Sequence, residues 1–443
     1  MLDNRHRFPR YLLFTLVVAL ASFVGAFFYF NRGGYQPPPQ LNINFQELTQ
    51  TTFAGPPRDF VDTPRGQART GVMLVDAAHR NAFRKEELVA LLARVANRGH
   101  EVAYLGTFSS LSESERLGLL ETALRSADSL VVILPRDSYT RQEVALIQGF
   151  LDQGGRLLLI SDPTRDNDIN SLAEPFGLEF RADYLSNQVE YDLNFQHIFV
   201  RDFQPDPLTR GLNEVVLYTA GSINSNGGWL AATDHNTVSS YALRTEGRFY
   251  PMARGTHRNT LAIYDLTFIV PPHNSMQDND RLLSNIADFL TEGQRRYDLA
   301  AFPSFFKGEV DILLGQPSLF QLGTDVKGLL AQAQITSGLG EIENTTRDTV
   351  FLGLYDDSHQ VSPYLQTSGV QVGSTLNVPS LSNIPLSGTS LILLNRSQDR
   401  HVLVVLGDSE AALADAVERL ESGGFRAGLM GEFVGVYKTD EVQ

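Results

Sequence analysis

Residues 126–163 read SADSLVVILPRDSYTRQEVALIQGFLDQGGRLLLISDP, and this stretch decides the fold. SLVVILP (129–135) is apolar almost throughout, and RLLLI (156–160) is a second run of the same kind. Between them, Thr140 to Gln153 sets apolar residues at helical spacing and stops at Gly154-Gly155. Strand, helix and strand in that order predict a parallel pair, because parallel strands need a crossover connection. Runs that are apolar at every position, rather than at every second one, predict a sheet covered on both faces.

The same texture extends outward. Upstream lie GVMLVD (71–76), the helical pattern FRKEELVALLARVANRG (83–99), EVAYLG (101–106) and a helix around 113–125. Downstream, 178–265 holds β-rich pieces (VVLYTAGSI, 215–223; TVSSYAL, 237–243; TLAIYD, 260–265) broken by Gly, Asn and Pro. DNDRLLSNIADFL (278–290), with Leu282, Leu283, Ile286, Phe289 and Leu290 on one side, closes the unit as an amphipathic helix. The expectation is an α/β, doubly wound parallel-sheet domain over 70–297. A second, smaller α/β domain is expected over 298–443, with a flavodoxin-like layout. Its strands are VDILLG (310–315), TVFLGLY (349–355), SLILLN (390–395) and HVLVVLG (401–407), with a helix around Val326 to Gln334. After the last strand, Asp408-Ser409 can cap the helix EAALADAVERLES, and Gly423 can end it. A phosphate cradle at that turn would need more glycine or a lysine, so no cofactor is expected there.

At the N-terminus, Tyr11 to Phe30 (YLLFTLVVALASFVGAFFYF) carries no charge. Twenty helical residues rise about 30 Å, the thickness of a bilayer's hydrocarbon core. Arg5, Arg7 and Arg10 precede the stretch and only Arg32 follows closely, which predicts a cytoplasmic basic tail (1–10), a transmembrane helix (11–30) and everything beyond on the outer side. Ala19-Leu20-Ala21 can instead be read as a signal-peptide cleavage site, but cleavage would leave FVGAFFYF exposed. Residues 31–69, with Pro37-Pro38-Pro39, Pro56-Pro57 and Pro64, read as a stalk, or as irregular coil over the first domain. The chain is at −15 and carries no cysteine, which excludes disulfides and a lipidated N-terminus. Beyond residue 30 the charge is −17. A surface that acidic repels nucleic acid.

Several of these segments carry a likeness: VMLVDAAHRN (72–81), the 126–163 stretch, DPLTRGL (206–212), and YDLTF with NDRLLSNIADFL between 264 and 290. Together they resemble a bacterial family of membrane-anchored domains of unknown function with a class I glutamine-amidotransferase-like fold. Similar domains occur in auxiliary subunits of gliding-type ABC transporters and, more distantly, in ThuA-like proteins. The resemblance covers about 70–295 and implies an amidotransferase-like fold there. Such a fold would set a catalytic cysteine on a turn after a strand. The equivalent turn here is Ser161-Asp162-Pro163, and there is no cysteine in the chain. A serine nucleophile would need a G-x-S-x-G elbow and a histidine base, and Ile160-Ser161-Asp162-Pro163 has no glycine.

Asp76 and Asp162 end strands on the side where open α/β sheets bind ligands. His79 and Asn81 follow Asp76, and Asp265 ends TLAIYD. These five are the candidate ligand-binding residues. Each aspartate can equally cap the turn that follows it. Asp166-Asn167-Asp168-Ile169-Asn170 resembles the start of a calcium loop, but Ser171 stands where the turn needs glycine and Gly177 where it needs glutamate. No metal site is expected, since no two histidines fall at i,i+3 or i,i+4 on a helix. Trp229 reads as a stacking platform or an aromatic plug. The functional expectation is a non-enzymatic binding or scaffolding subunit of a cell-envelope complex, at the bacterial cytoplasmic membrane, with protein partners. The alternative is an extracytoplasmic hydrolase of sugars or peptides that works through the sheet-edge aspartates.

Overall fold

The computed structural model describes residues 7–32, 60–65, 71–241, 247–293, 308–379, 381–396, 400–425, 429–430, 434–439 and a few positions between 295 and 306. Most of the expected stalk and of the basic tail lies outside the described residues. The chain divides into two compact units, Met1–Ala54 and Gly55–Gln443. In the first, helix α1 (Arg7–Phe30) holds the stretch Pro9–Phe30, long and apolar enough to cross a membrane and exposed along its length. Such a helix is compatible with a membrane anchor or a signal sequence.

The second unit contains an eight-stranded sheet. Its outer strand is β2 (His100–Leu105), followed by β1 (Gly71–Asp76), β3 (Ser129–Ile133) and β4 (Arg156–Ile160), and then by the strand Thr260–Ile263, all parallel. Three antiparallel strands, Met252–Arg254, Trp229–Ala232 and Asp202–Phe203, extend the far edge. Successive side chains on a strand point to opposite faces, and the cores follow that rule. Met73, Val75, Val131, Ile133 and Leu158 pack on one face with helix α2 (Val89–Asn97) and the helix Asn279–Thr291. Leu74, Leu130, Val132, Leu157 and Leu159 pack on the other with α3 (Glu113–Ser126) and α4 (Arg141–Asp152). Helices on both faces exclude water from the strands, which is why the strands are apolar throughout. The two glycines after α4 have separate reasons. Gly154 takes φ 92, and a Cβ on Gly155 would lie 2.5 Å from the Phe150 ring.

A seven-stranded sheet follows, in the order Ser337–Leu339, Val310–Leu314, Asp348–Leu354, His401–Gly407, Thr389–Arg396, Val434–Lys438, Leu429–Met430. The first four strands run parallel and the remaining pairings are antiparallel. This differs from the layout expected over 298–443. Between Arg396 and His401 there is no room for a crossover helix, so these two strands form a hairpin. The helix expected at 326–334 begins earlier, at Phe320. The cap is where the sequence places it: Ser409 Oγ accepts the Ala412 N–H at 3.2 Å, and Gly423 is left-handed at φ 79.

The end of the stretch read as a stalk belongs to the folded unit. Asp62 takes both terminal nitrogens of Arg98 (3.1 and 3.0 Å) and the Ser284 hydroxyl (2.6 Å). Asp288 accepts Arg98 Nε at 2.6 Å and Arg65 Nε at 2.5 Å. Arg98 and Asp288 are buried, so each neutralises a charge that burial alone would penalise.

Candidate functional site

Strand β1 is followed outward by β2 on one side, while β3 leads to β4 on the other. The strand order therefore reverses between β1 and β3, and open α/β sheets bind ligands in the crevice beyond such a reversal. Here the crevice is filled by the chain itself. Asp76, the last residue of β1, accepts the backbone N–H of Ala78 at 3.0 Å, which turns the chain sharply. Arg80 then adopts φ 48, and the His79 carbonyl accepts the N–H groups of Arg136 and Asp137 from beyond β3. Asn81 spans the gap, with Nδ2 donating to Asp76 at 3.0 Å and to the Ile133 carbonyl at 2.8 Å.

His79 is wholly buried between two carboxylates. Its Nδ1 lies 3.0 Å from Asp76 Oδ2, and its Nε2 lies 3.2 Å from Glu143 Oε1. The Tyr139 ring stacks on the imidazole at 3.8 Å, and its hydroxyl donates to Asp76 at 2.8 Å. Glu143 also caps α4. Its Oε2 accepts the N–H and hydroxyl of Thr140 at 2.8 and 2.9 Å, and Thr140 Oγ1 accepts the Glu143 N–H in return. Arg116 reaches Glu143 Oε1 at 3.4 Å and the Leu111 carbonyl at 3.0 Å.

Burial by itself would push the imidazole's pKa down. The hydrogen bonds and charges of Asp76 and Glu143 outweigh it and lift His79 to about 9. Burial would raise Glu143, but His79 and the Thr140 N–H bring it down to about 2. Burial, with the Asp76 charge added, raises the Tyr139 phenol well above its ordinary range. With a carboxylate oxygen facing each ring nitrogen, the arrangement favours the imidazolium, which donates from both N–H groups and has no lone pair to offer. A general base needs a free nitrogen within reach of a substrate proton, and this histidine has neither.

The other two candidates stand apart from this group. Asp162 Oδ1 accepts the N–H of Thr164 at 2.9 Å and its hydroxyl at 2.5 Å. Asp265 accepts the Thr267 N–H at 2.7 Å and the Tyr218 N–H at 2.6 Å. Burial raises the Asp265 carboxyl well above the usual carboxylate range, and the charge of Asp162 adds to that against the donors. Each aspartate thus caps the turn that follows it, Asp162 through Thr164 and Asp265 through Thr267. Ser161 donates to Asn167 Oδ1 at 3.0 Å, and no histidine bonds it among the described residues. Asp168, in the run that resembles a calcium loop, accepts the Ser138 hydroxyl at 2.5 Å and is followed by the helix Asn170–Ala173. Trp229 is half-buried and stacks on Tyr250 at 5.4 Å, with the Arg248 guanidinium 5.2 Å from its ring centroid. Among the described residues no group of three or more His, Asp or Glu side chains is placed to hold a metal ion. Open grooves of about 400 and 520 Å³ lie elsewhere, beside Asp202 and Phe203 at the antiparallel edge.

Sequence reading finds Asp76, His79 and Asn81 but misses Glu143, Tyr139 and Arg116. Thr140 and Glu143 form the capping-box pattern T-x-x-E, which marks one oxygen of the glutamate as a cap. Nothing local marks the other oxygen as the partner of a histidine 64 positions earlier.

No family model matches the chain, and no curated protein matches it. Among solved structures eight chains match. One is the mmIFT52 N-terminal domain, at 15% identity and a TM-score of 0.39, covering 49% of this chain and 97% of that one.

Proposed function

We propose that this chain is a membrane-anchored, non-enzymatic binding or scaffolding subunit of a cell-envelope complex, of the kind associated with ABC transporters. It would be held at the outer face of a bacterial cytoplasmic membrane by Tyr11–Phe30, with an amidotransferase-like domain over 70–297 and a second α/β domain over 298–443. The observation that carries the reading is the closure of the β1/β3 crevice. His79 is shut between Asp76 and Glu143 under Tyr139, where an enzyme of this architecture would keep an open pocket and a titratable group near neutrality. Exposed Phe320, Leu339 and Ile342, near the strand Ser337–Leu339, add apolar surface of the sort that partners cover.

The test is isolation of the full chain from its own membranes in mild detergent, followed by sizing and assay against peptidoglycan-type peptides and glycans. Migration in a larger assembly without turnover supports the proposal. Turnover that disappears in Asp76→Asn would contradict it and favour the hydrolase.

A further inference from the structure

Residues 189–195 read VEYDLNF, with apolar side chains at every second position. In a buried strand that alternation would point the apolar set inward. Here Val189, Tyr191, Leu193 and Phe195 are all exposed, Val189 at 69% and Leu193 at 83%. Tyr184 and Tyr241 are also exposed and belong to two neighbouring segments bonded to each other: Ser240 N–H donates to the Tyr184 carbonyl and Tyr184 N–H to Ser240 Oγ. The four exposed apolar side chains that one loop presents are thus Val189, Tyr191, Leu193 and Phe195.

The loop is held in shape. Asn187 N–H donates to the Phe195 carbonyl at 2.7 Å, Asp192 N–H to the His197 carbonyl at 2.9 Å, and Asn187 Oδ1 accepts the N–H groups of Val189 and Glu190. Its polar members Gln188, Glu190 and Asn194 are exposed as well, and two of them have partners within the fold. Glu190 is paired with Arg201, and Asn194 Oδ1 accepts the Gln196 N–H. Asp192 is half-buried, close enough to act on His197, Tyr218 and His273. The outward tip is braced and rich in apolar and aromatic side chains, with the Glu190 carboxylate in a surface ion pair with Arg201.

From this geometry we infer that the tip formed by Val189, Tyr191, Leu193 and Phe195 docks into the headgroup–acyl boundary of the bilayer that anchors the chain. Aromatic and aliphatic side chains without unpaired charge suit that boundary, where a ring is half in hydrocarbon and half wet. A bilayer is also the surface to which the anchor reading tethers the folded unit. The thirty steps from Phe30 to Phe60 extend to at most about 100 Å, which bounds the distance over which the folded unit is tethered to the bilayer. The acidic charge of the folded part directs it to zwitterionic rather than anionic lipid. The inference rests on the anchor reading proposed above.

Because the chain has no cysteine, a single one can be labelled cleanly. Full chain carrying Leu193→Cys with an environment-sensitive fluorophore is reconstituted in phosphatidylcholine vesicles containing a headgroup-level quencher lipid. The same label at Leu119→Cys, an exposed site on α3, is the reference. The expected result is several-fold stronger quenching at 193 than at 119, abolished when Val189, Tyr191 and Phe195 are replaced by serine. Equal quenching at the two sites in protein that floats with the vesicles overturns the docking and leaves the anchor standing. Protein that does not float overturns both. Shielding at 193 that needs copurified membrane proteins, without quenching in pure lipid, assigns the tip to a protein partner and overturns the inference.

Discussion

The imidazole of His79 and the ring of Tyr139 stack at 3.8 Å, 15° from parallel, while both side chains bond the same carboxylate, Asp76. The stack lies where the sheet reverses its winding, and it closes the place where this architecture usually binds. The polar edge of the sheet is held by its own side chains, and its stability becomes a measurable property.

Glu143→Gln leaves the buried imidazolium with one anion instead of two. Removing one partner of a buried ion pair costs about 3 kcal/mol. Tyr139→Phe removes a single hydrogen bond to a carboxylate, a loss of about 2 kcal/mol. Urea unfolding of the full chain in detergent should rank the variants in that order. Values within about 0.5 kcal/mol of the parent would mean that the array contributes nothing.

The pH dependence has a definite sign. His79 rises from 6.5 unfolded to about 9 folded, so its contribution is complete below pH 6.5 and is lost as pH climbs through 9. Glu143 falls from 4.5 to about 2, so the same interaction, seen from its partner, is complete above pH 4.5 and is lost as pH drops through 2. The plateau lies between 4.5 and 6.5. The stability difference between the parent and His79→Gln should shrink by about 3 kcal/mol from pH 6.5 to above 9. A flat difference across that range would contradict a protonated His79.

The Asp62–Arg98–Asp288 cluster predicts a local effect. Arg98→Ala strips Asp62 of its forked donor and leaves Asp288 with Arg65 alone. Trypsin should then cut faster after Arg65, and stability should fall by about 3 kcal/mol. Arg98→Lys should recover little, because an ammonium cannot serve two carboxylates with a planar fork. Unchanged tryptic digestion in Arg98→Ala would show that Phe60–Arg65 is held by other means.

Much of this was readable and some was not, for identifiable reasons. GVMLVD, RLLLI and HVLVVLG match observed strands residue for residue, because a strand covered on both faces must be apolar at every position. VVLYTAGSI reads only as a β-rich piece; it supplies the strand Val215–Tyr218 and the start of Ile223–Ser225, in separate small sheets. The break comes at Thr219, at φ 59, and depends on partners distant in sequence. The site divides in the same way. Asp76, His79 and Asn81 are neighbours on one turn, whereas Arg116, Tyr139 and Glu143 arrive through folding.

Limited proteolysis tests the proposed division into two α/β domains. Cuts should fall between 295 and 308, where each side has its own hydrophobic core, and give fragments of roughly 25 and 15 kDa. Contacts from Arg396 to Thr122 and from Arg125 to the Phe305 ring cross that division. Resistance through the segment would mean that these contacts unite the two sheets in one cooperative unit.

The central claim is that the sheet edge is closed by a doubly protonated His79, and nitrogen NMR of histidine-labelled full chain reads it directly. His79→Gln assigns the signal among the nine histidines. The account predicts that both ring nitrogens of His79 are protonated at pH 7 and stay so until about pH 9. A neutral ring with one bare nitrogen, titrating near 6.5, would contradict it and put a working base at the β1/β3 crevice.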